Sequence, residues 1–243
     1  MMPMVLRGDA PVLLLCDHAS NHVPDDVDLR IAPDLLDRHI GIDIGAGPLT
    51  RALAADLAAP AVFGTVSRLV IDLHREPDHP GLIPTESDGH PIPGNVGADR
   101  AGRIARFYAP YHRTVRDVVT RMRPELIVAI HSFTPRLETE PGPDRPWHVG
   151  ILSNRDRRAA DVAIASLSAR SSLITGDNAP YSGRLLNLTL NRHAEARGIP
   201  SFSIETRNDL IRDPGGVAEW TRIVRETIDD VRNSLAQRVP VAT

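Results

Sequence analysis

His18, His131 and Glu205 each follow a short apolar run. Val12-Leu13-Leu14-Leu15-Cys16 leads through Asp17 to His18, Leu126-Ile127-Val128-Ala129-Ile130 leads to His131, and Ser201-Phe202-Ser203-Ile204 leads to Glu205. Short apolar runs without alternation read as strands buried on both faces, the habit of parallel sheets. Open α/β sheets bind ligands outside the carboxyl ends of their strands. Three such ends therefore bring two histidines and a glutamate to one crevice. His, His and a carboxylate are the ligand and base types of a hydrolytic zinc site. Taken alone, each has a plainer reading: a hydrogen-bonded structural histidine, a strand cap, or a Glu205–Arg207 ion pair. Their joint occurrence favours the site.

Other polar residues stand close by in sequence. Asn21 lies three residues after His18, and its carbonyl oxygen is a poor zinc ligand. His22 is four after His18, but Asn21 and Pro24 argue for a turn rather than a helix that would put both imidazoles on one face. Asp43, between Gly41 and Gly45, either completes a metal site or caps the helix near Pro48. Its glycine spacing does not match a dinucleotide-binding loop. Arg68 and Arg75 bracket the segment Leu69 to Leu73. Arginine binds carboxylates through a planar fork, so an arginine near a metal suggests an acidic substrate; the alternative is surface pairing with Glu76 or Asp78. Asn178-Ala179-Pro180-Tyr181-Ser182-Gly183 is a turn that either lies over a site, with Tyr181 as a hydrogen-bond donor, or is simply exposed. Cys16 ends an apolar run, where a free cysteine behaves as a small hydrophobe. No Gly-x-Ser-x-Gly elbow is present, which argues against a serine hydrolase.

These residues need a scaffold. The 243 residues, 42% hydrophobic and 24% charged, fit one α/β domain spanning 1–243 with a real core. A net charge of −3 gives no basic field for nucleic acid. No apolar stretch approaches the roughly 20 residues that span a bilayer. The N-terminus lacks a signal-peptide core, so a cytoplasmic location is the default. One cysteine excludes an intrachain disulfide framework.

The pattern predicts strands over Val12–Cys16, Ala61–Thr65, Leu69–Leu73, Leu126–Ile130, Val149–Leu152 and Ser201–Ile204. It predicts helices over Asp34–Ile40, Leu49–Leu57, Ala98–Met122 with a kink at Pro110, Arg155–Ser168, Leu188–Ala196 and Val217–Leu235. Arg75 to Gly97 reads as a long loop, a length that is usually functional or disordered. Strands alternating with helices imply a mostly parallel sheet covered by helices on both faces.

The ordered set Cys16-Asp17-His18-Ala19-Ser20-Asn21, Asp43-Ile44-Gly45, Arg68 to Arg75, His131-Ser132-Phe133, Asn178 to Gly183 and Glu205-Thr206-Arg207-Asn208-Asp209-Leu210 resembles the N-formylglutamate amidohydrolase family. The resemblance runs from about Val12 to Ile211. Each motif is short, but six in order are specific. That family is related to zinc carboxypeptidases and to the aspartoacylase and succinylglutamate desuccinylase enzymes. The resemblance implies a three-layer αβα, hydrolase-like fold with a mostly parallel mixed sheet and one zinc at strand ends. It implies His18 and His131 as ligands and Glu205 as general base. The carboxypeptidase ligand pair is His-x-x-Glu, whereas this chain has His18 with Asn21. The third ligand therefore lies between Asp43 and Asn21, with the anionic Asp43 preferred. Arg75, with Arg68 or Arg207 nearby, is expected to bind a substrate carboxylate, with Tyr181 and Asn178 also lining the site. His74 precedes Arg75 where the relatives carry Asn.

The expected reaction is hydrolysis of a small anionic N-acyl amino acid, N-formyl-L-glutamate first. The alternatives are a metal-dependent carboxypeptidase or amidase acting on other N-acyl or peptide substrates, and a non-catalytic protein that binds an anionic ligand. The oligomeric state is not readable from the sequence.

Overall fold

Leucine, valine and isoleucine in an unbroken run have no polar face to present to water, and here they are covered on both sides. Val12 to Cys16 and Leu126 to Ile130 are wholly buried in the computed structural model, which describes residues 2–237. Burying each such Leu, Ile or Val contributes about 1.5–3 kcal/mol relative to exposure. The elements are β1 (Met4–Leu6), β2 (Val12–Cys16), α1 (Ala46–Asp56), β3 (Ala61–Phe63), β4 (Glu86–Ser87), β5 (His90–Pro91), α2 (Arg100–Arg103), α3 (Ala109–Met122), β6 (Leu126–Phe133), β7 (Val149–Leu152), α4 (Ala160–Ser168), β8 (Thr175–Asp177), α5 (Leu188–His193), β9 (Ser201–Arg207) and α6 (Pro214–Gln237), with short 3-10 turns between them.

Seven strands form one sheet in the order β1-β3-β2-β6-β9-β7-β8, and β4 and β5 make a separate hairpin. β3, β2, β6 and β9 are mutually parallel, as are β7 and β8, while β1 and β7 join antiparallel. Alternate side chains divide the interior into two cores. Val12, Leu14 and Cys16 pack with α1, α4 and α6 through Leu49, Leu53, Ala163, Leu167, Trp220 and Val224. Leu13, Leu15, Ile127 and Ala129 pack with α3 and α5 through Tyr111, Val115, Val119, Leu188 and Leu190. The result is the expected three-layer αβα arrangement with a mostly parallel sheet. No helix among the described residues is long and apolar enough to cross a membrane.

Several elements depart from the pattern for identifiable reasons. Leu69–Leu73 is buried but not a strand. Its backbone groups are met by side chains and turns instead: Asn95 Nδ2 donates to Leu69 O (2.8 Å), Arg103 Nη1 to Val70 O (2.8 Å), and Val70 N to Ser67 O (2.9 Å). Buried backbone requires partners, not specifically a ladder. The helix expected at Arg155 starts at Ala160, because Glu195 Oε2 accepts from the backbone N–H groups of Arg155 (2.9 Å) and Asp156 (3.0 Å). The long 98–122 helix opens at Arg100 under an Asp99 cap, whose Oδ1 accepts from Gly102 N. It passes through a π-turn over Ile104–Tyr108 that ends one residue short of Pro110, which cannot donate within an α-helix. The 75–97 loop carries the β4–β5 hairpin, turned at Asp88 (φ 45°) and Gly89 (φ 78°). β6 and β9 run past their predicted ends, to Phe133 and Arg207, so His131 and Glu205 lie within strands.

Candidate functional site

Register brings the separated residues together. β6 lies between β2 and β9. His131 pairs directly with Glu205, and Leu15 with Ala129, so Asp17 and His18 leave β2 at the level of His131. Asp43 comes from the turn before α1. The start of that helix takes no side-chain cap; Gly45 (φ 80°) holds the N-cap position, and the Asp43 carboxylate turns inward. The alternative reading of Asp43 as a helix cap therefore does not hold.

The centre is a closely packed polar cluster. Asp43 Oδ2 lies 2.9 Å from His131 Nδ1 and 3.3 Å from His18 Nδ1. The second nitrogen of each imidazole faces another carboxylate. His18 Nε2 is 2.7 Å from Asp72 Oδ1, and His131 Nε2 is 3.1 Å from Asp17 Oδ2. The latter pair is close enough for an ion pair but off line for a hydrogen bond, leaving both atoms buried without an aligned partner. Thr189 Oγ1 donates to Asp17 Oδ1 (2.7 Å), and His74 Nδ1 is 3.3 Å from Asp17 Oδ2. Arg68 ties the cluster together, donating through Nη1 to Asp43 Oδ1 (2.9 Å) and through Nη2 to Asp72 Oδ2 (3.0 Å).

Among the described residues three sets have the chemistry to hold a cation: His18, Asp43 and His131, and Asp17, His74 and His131, both buried, and His39, Asp88 and Glu138, which is partly exposed. The first fits best. Histidine ligands ordinarily present their other nitrogen to a carboxylate. His18 and His131 both do so, through Asp72 and Asp17. In that arrangement Asp17 supports His131 from behind, and Asp43 is the carboxylate shared between the two free nitrogens. Asn21 points away: its Nδ2 donates to Asp37 Oδ1 (2.6 Å) at the surface.

The charged groups of the cluster act strongly on one another. Burial opposes ionisation of Asp17, Asp43 and Asp72, yet neighbouring imidazoles hold all three below the usual carboxylate range, with Arg68 adding to the effect at Asp43 and Asp72. Burial and Arg68 press His18 down, but Asp72 and Asp43 outweigh them and raise it. His131 is raised well above an ordinary histidine, despite its burial, by Asp17, Asp43 and Glu205. Burial lowers His74. Glu205 behaves differently: burial raises it to about 7, with Asp43 adding to the rise and His131 opposing it.

His18, Asp43, His131 and Glu205 line a cleft of about 380 Å³, with Arg68, Asp72, His74, Arg75 and Tyr181 around them. Arg68 lines the cleft but is committed to two carboxylates. Arg75 is freer, its Nε lying 3.7 Å from Asp72 Oδ2. Tyr181 sits on the 178–183 turn, which presses onto β7 and β8. A Cβ at Gly150 would fall 2.1 Å from Ala179 O, and one at Gly176 would fall 2.6 Å from it, so the turn needs glycine at both places.

Two residues expected to bind substrate stand elsewhere. Asn178 (φ 49°) organises its own turn, its Oδ1 accepting from Gly183 N (2.8 Å) and Ser153 N (3.2 Å). Arg207 pairs with Asp209 (2.8 Å) and donates to Arg145 O (3.3 Å). Neither is among the cleft-lining residues. Conversely, Asp17 and Asp72 occupy positions at the centre to which the sequence reading gave no role. A signal was present for Asp72, an acidic residue inside an apolar segment, which is buried only when paired. Thr189 carries no comparable signal.

Comparison with known proteins gives a consistent outcome. The family model described as N-formylglutamate amidohydrolase matches residues 10–212. An N-formylglutamate deformylase of Pseudomonas aeruginosa is 25% identical over 213 residues, covering 77% of this chain and 76% of that protein. The crystal structure of the gene product Atu2144 of Agrobacterium tumefaciens aligns with TM-score 0.91 at 32% identity, covering 97% of this chain and 96% of that one. An N-formylglutamate amidohydrolase of Ralstonia eutropha aligns with TM-score 0.70 at 21% identity, over 99% of this chain and all of that one, which speaks to the fold.

Proposed function

The chain belongs to the N-formylglutamate amidohydrolase family, and from that premise we propose that it hydrolyses the amide of a small anionic N-acyl amino acid, N-formyl-L-glutamate first. Water adds to the formyl carbon, the C–N bond breaks, and formate and L-glutamate leave. The observation that carries this reading is a buried carboxyl group raised to about 7, Glu205, beside two histidines that share Asp43. A carboxylate tuned in this way suits a general base at neutral pH.

In this reading His18, His131 and Asp43 would hold a divalent cation. Such a cation, zinc by the donor set, would polarise the carbonyl and acidify a water toward about pH 7. Asp72 and Asp17 fix the orientation of the two imidazoles, and Arg68 fixes Asp43 and Asp72 relative to each other. Glu205 takes the proton of the attacking water and returns it to the departing nitrogen. Arg75 binds the substrate carboxylate. Tyr181 donates a hydrogen bond to the carbonyl oxygen as negative charge develops there.

Purified protein incubated with N-formyl-L-glutamate should release formate, lose that activity on chelation, and regain it with zinc. A panel of N-formyl and N-acetyl amino acids and dipeptides defines the substrate range. Absence of turnover across the panel in zinc-supplemented protein would overturn the reading. Preference for dipeptides would redirect it to a peptidase.

A further inference from the structure

We propose that Arg145 is a positioning residue that makes Tyr181 a hydrogen-bond donor into the cleft. The inference rests on the proposed reading of the cleft as an amide-hydrolysing site. Arg145 belongs to the loop after β6, and its Nη1 donates to Tyr181 Oη at 3.1 Å, with the guanidinium carbon 5.3 Å from the ring centroid. A guanidinium has donors and no acceptor, whereas a phenol has one hydrogen and acceptor lone pairs. Tyr181 can therefore only accept from Arg145. Its own hydrogen is left unused by that bond, and the ring lines the same cleft as Glu205.

The surroundings of Arg145 suit this task better than that of a surface ion pair. Its side chain is 14% exposed, and its acidic neighbour Glu140 is 3.6 Å away and 64% exposed, a contact that contributes little. A charged group largely removed from water is thus turned toward a neutral phenol. Its backbone is held at both ends. Arg145 N donates to Pro135 O (2.7 Å), and Arg145 O accepts from Arg207 Nη1 (3.3 Å), while Arg207 is itself pinned by Asp209. Nη1 also reaches Thr134 O (3.3 Å), on the cleft wall. The phenol is fixed from the other side by the Asn178 turn. Arg207 and Asn178, which do not line the cleft, thereby hold the two segments that meet at Tyr181.

The test is a double-mutant cycle with R145M, R145K and Y181F, assayed on N-formyl-L-glutamate. Y181F should lower kcat by about 100-fold and R145M by about ten-fold, with little change in KM. The double variant should be no slower than Y181F, since Arg145 acts through the hydroxyl. R145K should recover part of the loss. A second readout needs no turnover. The tyrosinate absorbance difference between the protein and Y181F isolates Tyr181. R145M should move that ionisation upward by about one pH unit, because a neighbouring cation favours the phenolate, and R145K should not. Losses that multiply in the double variant, or a Tyr181 ionisation unmoved by R145M, would overturn the proposal. If the wild type hydrolyses no N-formyl amino acid, the substrate reading falls, while the titration still decides whether Arg145 tunes Tyr181.

Discussion

A carboxyl group buried within a sheet is costly to ionise, and Glu205 bears that cost. Burial raises the group to about 7. As the proposed general base, Glu205 must be ionised to accept a proton, so its active form accumulates as pH rises. The kcat/KM profile should therefore climb through an acid limb near neutrality, displaced lower when a cation binds beside it. Glu205→Gln removes the proton acceptor at nearly constant size. It should retain the fold and its capacity to bind added zinc while lowering kcat by at least about 100-fold. Near-normal turnover by that variant, with the acid limb unmoved, would assign the base to another residue. The residue scale also shows what type and spacing carry. His18, His131 and Glu205 stand out because a polar group directly after an apolar run has nowhere to go but a strand end. Arg207 and Asn178 stood out for the same motifs, yet both serve backbone and ion-pair contacts. A residue type states what a side chain can bind and leaves open which partner reaches it first.

At the scale of elements, two helices meet through a pair of neutral histidines. His112 on α3 and His193 on α5 are buried, with His112 Nδ1 2.9 Å from His193 Nε2. His112 Nε2 lies 3.0 Å from Leu73 O, which can only accept, so Nε2 carries hydrogen and neutral His112 accepts from His193. Burial lowers His112 to about 3 and His193 to about 4. Both folded values lie below the ordinary 6.5. The pair's contribution is therefore complete above that pH and is lost as acid protonates the unfolded chain first. The thermal midpoint should fall between about pH 7 and about pH 5, and His193→Gln should flatten that dependence. A variant with an unchanged slope would remove the pair from the account of acid sensitivity. The elements themselves were largely legible, since β2 and β7 match their predicted spans and α1 and α6 nearly so. Leu69–Leu73 was not, because burial alone does not distinguish a strand from a turn whose carbonyls are taken by Asn95 and Arg103. Nor was the late start of α4, which depends on Glu195 from a segment about forty residues distant.

For the molecule as a whole, the site joins segments that are far apart along the chain. His18 and Asp43 are 25 positions apart, and Asp43 and His131 are 88 apart. A cation held by these three would link segments that separate on unfolding. Zinc should therefore stabilise the folded chain by about 2.7 kcal/mol at a hundred-fold excess over its Kd. A thermal melt with and without zinc measures this, and His131→Ala should abolish the rise. An equal rise in that variant would place the ion elsewhere. The β4–β5 hairpin acts at the same scale. Asp88 at its tip accepts from the backbone N–H groups of Glu138 (2.8 Å) and Thr139 (3.0 Å), so two loops remote in sequence form one wall of the cleft.

By itself the sequence determined the sheet class, the strand ends and the residue types that meet there. Those depend on local patterns: an apolar run must be covered, and the polar residue after it must lie at its end. Tertiary structure alone decided the wiring. Parallel register set His131 beside Glu205. The turn before α1 carried Asp43, rather than Asn21, to both imidazoles. Asp72 and Asp17 were brought behind those imidazoles, and Arg145 was turned onto Tyr181. Each of these is a contact between segments that no local spacing relates, and each was selected by which buried donor and acceptor the packed chain left facing one another.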